Sequence, residues 1–378
     1  MDGNTARSVS ELQQFYISQG SREIFARMGS RLIGSKGRGF PLALRYAELA
    51  KQLNVSLNPE LLLCANYGDE SGQPEPDFSD YPEIEISKPW GELSIHEICD
   101  ALRAYGKIKS RILLDTGARI NFWDIGNEVD CGMAGVALPP MNPRLGGGLW
   151  RYKAPDGVDP EIGKMSTQRF FAMDAKTQAD WGKQHLWNYV GKMLAAVAEG
   201  IRENDPTARF ATHLGGLAVQ RAEVLIGFYE AIQAEGFEFD DLGTSFYPTA
   251  YPYFMTEEEL QTTRLDAYKH TAVKAYQRLG KPLYIAEYAY AAAPIIFAGK
   301  SWANPVPSYP IGEESQYRFL RDLMDWGLST GTLSGIRPWA PDFVSSGWES
   351  MAMFGSPVAG IATARASLGA MRESVEIR

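Results

Sequence analysis

Two glutamates carry the chemistry this sequence could do. Glu128 closes the segment Phe122-Trp123-Asp124-Ile125-Gly126-Asn127-Glu128, an apolar run that ends in an amide and a carboxylate. Glu287 stands in the same situation in Tyr284-Ile285-Ala286-Glu287-Tyr288, again at the exit of a short apolar run. A retaining glycosidase needs two carboxyl groups roughly 5–5.5 Å apart. One protonates the leaving oxygen and then activates water; the other attacks the anomeric carbon. Glu128 suits the acid/base role because Asn127 can hydrogen-bond the sugar hydroxyl next to the reacting carbon. Glu287 suits the nucleophile. Tyr247, at the end of Gly243-Thr244-Ser245-Phe246-Tyr247-Pro248, can donate to that carboxylate and keep it ionised. The acid must hold its proton near neutrality, which partial burial and a negative Glu287 nearby would bring about. A single glutamate after a strand is more often a helix cap or an arginine partner. The pair, with Asn127, points to catalysis.

Other chemistries lack their residues. His96, His185, His213 and His270 make no His-x-His or His-Glu-x-x-His pattern, so neither a catalytic metal nor a cofactor is expected. His213, at the exit of the run Arg209–Thr212, is the one histidine placed to reach a site at the strand ends. Cys64, Cys99 and Cys131 are too few and scattered for a disulfide framework or a zinc site, and Cys64 reads as a buried strand residue. No Gly-x-Ser-x-Gly elbow or phosphate loop is present, and Gly146-Gly147-Gly148 reads as a flexible loop.

The elements that must position the glutamates alternate. Ile24–Met28, Leu61–Ala65, Asn121–Ile125, Arg209–Thr212, Leu242–Phe246, Leu283–Ala286 and Leu333–Arg337 read as strands, being β-rich runs bounded by turn residues. Phe40–Leu53 reads as a helix, and Ile95, Ile98, Leu102, Tyr105, Ile108 and Ile112 form the apolar stripe of another. Ser94 with Glu97 marks the start of the latter as a capping box, and Thr256 with Glu259 marks a helix ending near Gly280. This alternation predicts the α/β class, with parallel strands covered by helices, and a (β/α)8 barrel as its closed form. Only seven strands are legible. Residues 1–20 begin polar and then turn helical at Val9–Ser18, so the first barrel strand is not identifiable. A single catalytic domain over residues 1–378 is expected.

Long connections follow the strand ends, at Gly68–Glu92, Asp130–Ser166, Pro248–Tyr253, Ala291–Gly312 and Ala340–Pro357, where barrel enzymes build their sites. They carry Tyr81, Trp90, Trp150, Tyr152, Tyr251, Tyr253, Trp302, Tyr309 and Trp348. Sugar rings pack their C–H faces on aromatic planes, so Trp348 and its like are candidate subsites. The competing role is to fix each loop onto the rim.

Bulk properties narrow the partners. With 378 residues, 45% hydrophobic, the chain can build a barrel core. A net charge of −9 and a pI near 5.2 lack the basic footprint that nucleic acid requires. A mean hydropathy of −0.24 excludes an integral membrane protein of helical type. The first thirty residues hold no apolar leader, so the expected site of action is the cytoplasm unless a leader precedes this chain.

The motifs together resemble the endo-β-1,4-galactanases, glycoside hydrolase family 53, of the clan with Asn-Glu on strand four and Glu on strand seven. Gly126-Asn127-Glu128-Val129 is similar to the family's Gly-Asn-Glu-Ile, and His213-Leu214-Gly215-Gly216 to its strand-five His segment. Asp241-Leu242-Gly243-Thr244-Ser245-Phe246-Tyr247-Pro248 resembles its Asp-x-x-Gly-x-Ser-Tyr-Tyr-Pro, and Ile285-Ala286-Glu287-Tyr288-Ala289-Tyr290 its Val-Glu-Thr-Ala-Tyr. The resemblance implies acid/base Glu128 and nucleophile Glu287, Arg27 as the strand-two arginine, and Trp339 as the floor of the site. The chain departs from it at Asn66-Tyr67-Gly68-Asp69, where the family has His-Tyr-Ser-Asp, and at Ala340, where it has Glu. Asn66 and Asp69 would then make an altered sugar contact. The implied activity is endo-acting cleavage of a β-linked polysaccharide, galactan or arabinogalactan first, by a monomer. A clan relative cutting mannan or glucan, and a barrel that binds glycan without cutting it, are the alternatives.

Overall fold

The computed structural model describes residues 8–32, 39–65, 67–141, 155–216, 218–250, 264–297, 300–344, 347–356, 358 and 361–376. The chain divides into two compact units, Glu23–Gly243, and Met1–Arg22 with Thr244–Arg378.

In the first unit the strands run β1 (Glu23–Met28), β2 (Ser56–Leu61), β3 (Arg119–Ile120), β4 (Trp123–Ile125), β5 (Gly132–Met133), β6 (Val136–Ala137), β7 (Phe210–Ala211) and β8 (His213–Leu214). β1 pairs in parallel with β2, β2 with β3 and β4, and β4 with β7. β5 and β6 make a short antiparallel hairpin beyond β4. β8 lies beside the start of β9 (Leu242–Phe246), where the Gly243 N–H donates to the Thr212 carbonyl at 3.1 Å.

β2 corrects one expectation. The apolar run Leu61–Ala65 is not a strand; the strand is Ser56–Leu61, which contains Pro59. Proline inside a strand removes a ladder donor and is normally a sign against one. The sheet accommodates it by a gap: β2 pairs with β3 through Ser56 and Leu57 and with β4 through Glu60 and Leu61, leaving Asn58 and Pro59 opposite the break between β3 and β4. The Asn58 side-chain amide donates to the Phe122 carbonyl across that break at 3.4 Å. Leu62, Leu63 and Cys64 are wholly buried, but past the strand end, in a segment where Leu63 has φ +55°. The same break takes Asn121 and Phe122 out of the expected strand Asn121–Ile125, which begins at Trp123.

Helices cover this sheet. Phe40–Gln52 and Ile95–Asp115 form where the apolar spacing places them. Both halves of the capping box are made: the Ser94 N–H donates to Glu97 Oε2 at 2.7 Å, and the Glu97 N–H to Ser94 Oγ at 3.3 Å. The Ser94 N–H and hydroxyl, both donating to the Glu97 carboxylate, hold it down at about 2, with help from Lys88. Helix Ile95–Asp115 crosses helix Trp187–Arg202 closely, because glycine faces backbone at two points. A Cβ on Gly106 would lie 2.4 Å from the Val197 carbonyl oxygen, and one on Gly200 2.0 Å from that of Arg103.

In the second unit, β9, β10 (Leu283–Tyr288) and β13 (Leu333–Pro338) are neighbours, β10 and β13 parallel, while β11 (Ile296–Phe297) and β12 (Lys300–Ser301) form a hairpin. Helices Val9–Ser18, Arg264–Leu279, Glu313–Thr330 and Ala366–Glu376 belong to it. Thr256 and Glu259 lie outside the described residues. No strand precedes β1 among the described residues. None of their helices is long and apolar enough to cross a membrane.

Candidate active site

Glu128 leaves the end of β4 through a turn that needs unusual backbone. Gly126 has φ +83°, and a Cβ there would stand 2.5 Å from Val129 Cγ1. Glu128 itself is left-handed, at φ +49°, a conformation that costs a non-glycine residue on the order of 1 kcal/mol. Gln73 offsets this. Its Nε2 donates to the carbonyls of Asn127 (2.6 Å), Glu128 (3.2 Å) and Asp69 (3.1 Å), and its side chain is fully buried. The Glu70 N–H donates to Glu128 Oε2 at 3.3 Å. Glu128 is buried, with 7% of its surface exposed.

Asn127 is fixed by more than Glu128 is. Its Oδ1 accepts from Arg27 Nη2 at 2.9 Å and lies 2.9 Å from His213 Nε2. Its Nδ2 donates to the Gly68 carbonyl at 2.8 Å. Behind these donors stand two carboxylates absent from the expected site. Arg27 Nε is in direct ion contact with Glu60 Oε1, and His213 Nδ1 lies 3.5 Å from Asp124 Oδ1. Strand register puts them there: Arg27 is opposite Glu60 on β2, and Glu60 opposite Asp124 on β4. The sequence signal was a lone charge inside a short strand, clear for Asp124 between Trp123 and Ile125 and weak for Glu60, whose strand also holds Ser56, Asn58 and Pro59. Glu60, Asp124 and His213 could ligate a cation, with ligand atoms within 4.8 Å of one another, although Arg27 already brings positive charge to Glu60.

Asp69, expected at the sugar, turns its Oδ1 to the Ser71 N–H (2.8 Å) and the Ser71 hydroxyl (2.5 Å). Asn66 lies outside the described residues. Asp130, two residues past Glu128, accepts the Gly215 N–H at 2.5 Å, and burial pushes its carboxyl up to about 6.

The second unit holds Glu287, 3% exposed, near the end of β10. The Tyr247 hydroxyl donates to its Oε2. Around Tyr247 is an aromatic cluster: Trp302 at 5.4 Å and Trp348 at 6.4 Å between ring centroids, with Trp339 4.6 Å from Trp348, all edge to face. Trp339 follows β13, its N–H bonded to the Tyr288 carbonyl at 2.9 Å, and is half-buried. Trp348 is only 2% exposed and packs on Met351 and Ala352 as a wall behind the other rings.

The remaining loop aromatics divide. Tyr81 and Trp90 are buried anchors, the first donating to the Ser30 carbonyl at 2.5 Å and the second to that of Ala134 at 2.7 Å. Tyr309 bonds Asp322 at 2.6 Å. Trp150, Tyr152, Tyr251 and Tyr253 lie outside the described residues.

The fold is similar to that of the family 53 glycoside hydrolase catalytic domain of Ignisphaera aggregans, with a TM-score of 0.64 and 19% identity over 97% of this chain and 88% of that one. It is similar to fungal β-1,4-galactanases, with a TM-score of 0.65 and 17% identity over 96% of this chain and 91% of theirs. These likenesses concern the fold, which is the α/β, (β/α)8 type. A protein in the bgaB 5′ region of Niallia circulans is 23% identical over 71% of this chain, and the match spans 64% of that relative's length. The model of glycosyl hydrolase family 53 matches residues 157–371, more than half of the chain, a stretch that contains Glu287 and begins beyond Glu128. The chain belongs to glycosyl hydrolase family 53.

Proposed function

We propose that this protein is a retaining, endo-acting glycoside hydrolase that cleaves β-1,4-linked galactan, with the whole chain serving as one catalytic domain and acting as a monomer. Glu128 is the general acid/base and Glu287 the nucleophile. The observation that carries this reading is the pair of carboxyls, each at a strand end and each held by hydrogen-bond donors: Glu128 by the Glu70 N–H, Glu287 by the Tyr247 hydroxyl. Asn127 presents an amide to the sugar hydroxyl beside the reacting carbon, and Trp339 offers a partly exposed ring to a sugar face. Family membership supports the galactan assignment.

The test is hydrolysis of a panel of β-linked polysaccharides, galactan, arabinogalactan, mannan, xylan and glucan, with sizing of products and proton NMR of the first anomer released. Galactan is expected to be cut to oligosaccharides with the β-anomer appearing first. Glu128→Gln and Glu287→Gln should each lower kcat by about 1,000-fold or more, the loss of roughly 4 kcal/mol of transition-state stabilisation, with the fold intact. Release of the α-anomer first would overturn retention. Full activity in either variant would overturn the assignment of that residue.

A further inference from the structure

We propose that Glu60 and Asp124 are positioning residues for Asn127, a role that rests on the hydrolase reading above. The argument starts from the amide. Asn127 is 1% exposed, and its Oδ1 receives two donors, Arg27 Nη2 and His213 Nε2, both at 2.9 Å. An amide whose oxygen is held by two donors cannot be flipped, because its NH2 would then face a guanidinium. One N–H of Nδ2 goes to the Gly68 carbonyl at 2.8 Å. The second N–H has no acceptor among the described residues, so it is the one free to meet a substrate hydroxyl.

Each of the two donors is backed by its own carboxylate. Glu60, fully buried, takes the Nε edge of Arg27, which leaves Nη2 for Asn127. Asp124, also fully buried, faces the Nδ1 side of His213, which leaves Nε2 for Asn127. One ring nitrogen of His213 lies 2.9 Å from Asn127 Oδ1 and the other 3.5 Å from Asp124 Oδ1. The layer sets the Arg27 guanidinium and the His213 ring against two buried carboxylates, and buried carboxylates need such partners. Three of its four members sit at one level of three adjacent strands, Arg27 opposite Glu60 and Glu60 opposite Asp124. Strands are more rigid supports than loops, and a misplacement of about 1 Å in such a group can cost about 100-fold in rate.

The test uses the full chain with Glu60→Gln and Asp124→Asn, which keep shape and remove charge. Substrates are an aryl β-1,4-galactobioside and its counterpart lacking the hydroxyl next to the reacting carbon. Each variant should lose about 10- to 100-fold in kcat on the first, with KM within about threefold, and under threefold on the second. In an Asn127→Ala background, Asp124→Asn should cost nothing further. The Asn127 side-chain amide signals in a 15N NMR spectrum should shift in both variants, whether or not the protein turns over any glycan. Equal losses on both substrates accompanied by a fall in Tm of more than about 10 °C would make the carboxylates structural and overturn the proposal. So would unmoved Asn127 signals. A wild-type protein inactive on every glycan, with the amide signals still shifted, would sink the hydrolase reading and leave the clamp standing.

Discussion

The Tyr247 hydroxyl donates directly to Glu287 Oε2, joining the strand exit after β9 to the nucleophile candidate near the end of β10. The tyrosine is itself braced by Trp302 and Trp348, so the donor comes from a packed ring rather than a mobile loop.

Tyr247→Phe removes that donor and keeps the ring. A hydrogen bond to a charged group contributes about 1.5–3 kcal/mol, so kcat should fall about 10- to 100-fold. The ring contacts with Trp302 and Trp348 survive, and Tm should move by no more than about 2 °C. Steady-state kinetics and a thermal scan on the same preparation decide it. An unchanged kcat would mean that the hydroxyl does not act on the nucleophile.

Lys109 should make stability depend on alkaline pH. Its side chain is fully buried, with Nζ 3.6 Å above the Phe40 ring centre and 5.4 and 5.5 Å from those of Tyr81 and Tyr105. Burial lowers the amine from 10.5 to about 7, against a smaller opposing pull from Asp80. Between those values the unfolded chain binds the extra proton, so stability rises with pH from about 7 to 10.5, and the full penalty is present below 7. Lys109→Met should therefore add about 2–4 kcal/mol at pH 6 and almost nothing near pH 10. Urea unfolding at pH 6, 8 and 10 measures it. Equal gains at all three would contradict a charge origin.

Gly200→Ala should weaken the crossing of helices Ile95–Asp115 and Trp187–Arg202. The added methyl would meet the Arg103 carbonyl oxygen at 2.0 Å, and backbone cannot swing aside. The cost should be about 1–3 kcal/mol, read as a lower urea midpoint at unchanged slope. No loss would mean the helices can part without penalty.

Much of this was legible in the chain. Leu242–Phe246 is a strand over the residues expected, since an apolar β-branched and aromatic run between Asp241 and Pro248 has no competing pattern. The Ser94 box forms because its two hydrogen bonds are local and need no tertiary partner. What failed were features set by neighbours. Pro59 argues against a strand unless the partner strand is broken opposite it, and that break cannot be read along one segment. Glu60, just ahead of the run Leu61–Ala65, and Asp124, inside Asn121–Ile125, gave no sign of their roles because their partners, Arg27 and His213, are supplied by other strands. Trp348 resembled a loop aromatic open to ligand, and only packing on Met351 and Ala352 shows it turned inward.

The left-handed backbone at Glu128, φ +49°, sets the proposed acid in a conformation that suits glycine or asparagine better than glutamate. Either of these in place of the glutamate should stabilise the turn and, on the function proposed above, end turnover. A lineage released from selection for cutting glycan would slide downhill at this codon first, and descendants that only hold sugar would be recognisable by a small or amide residue at that one place.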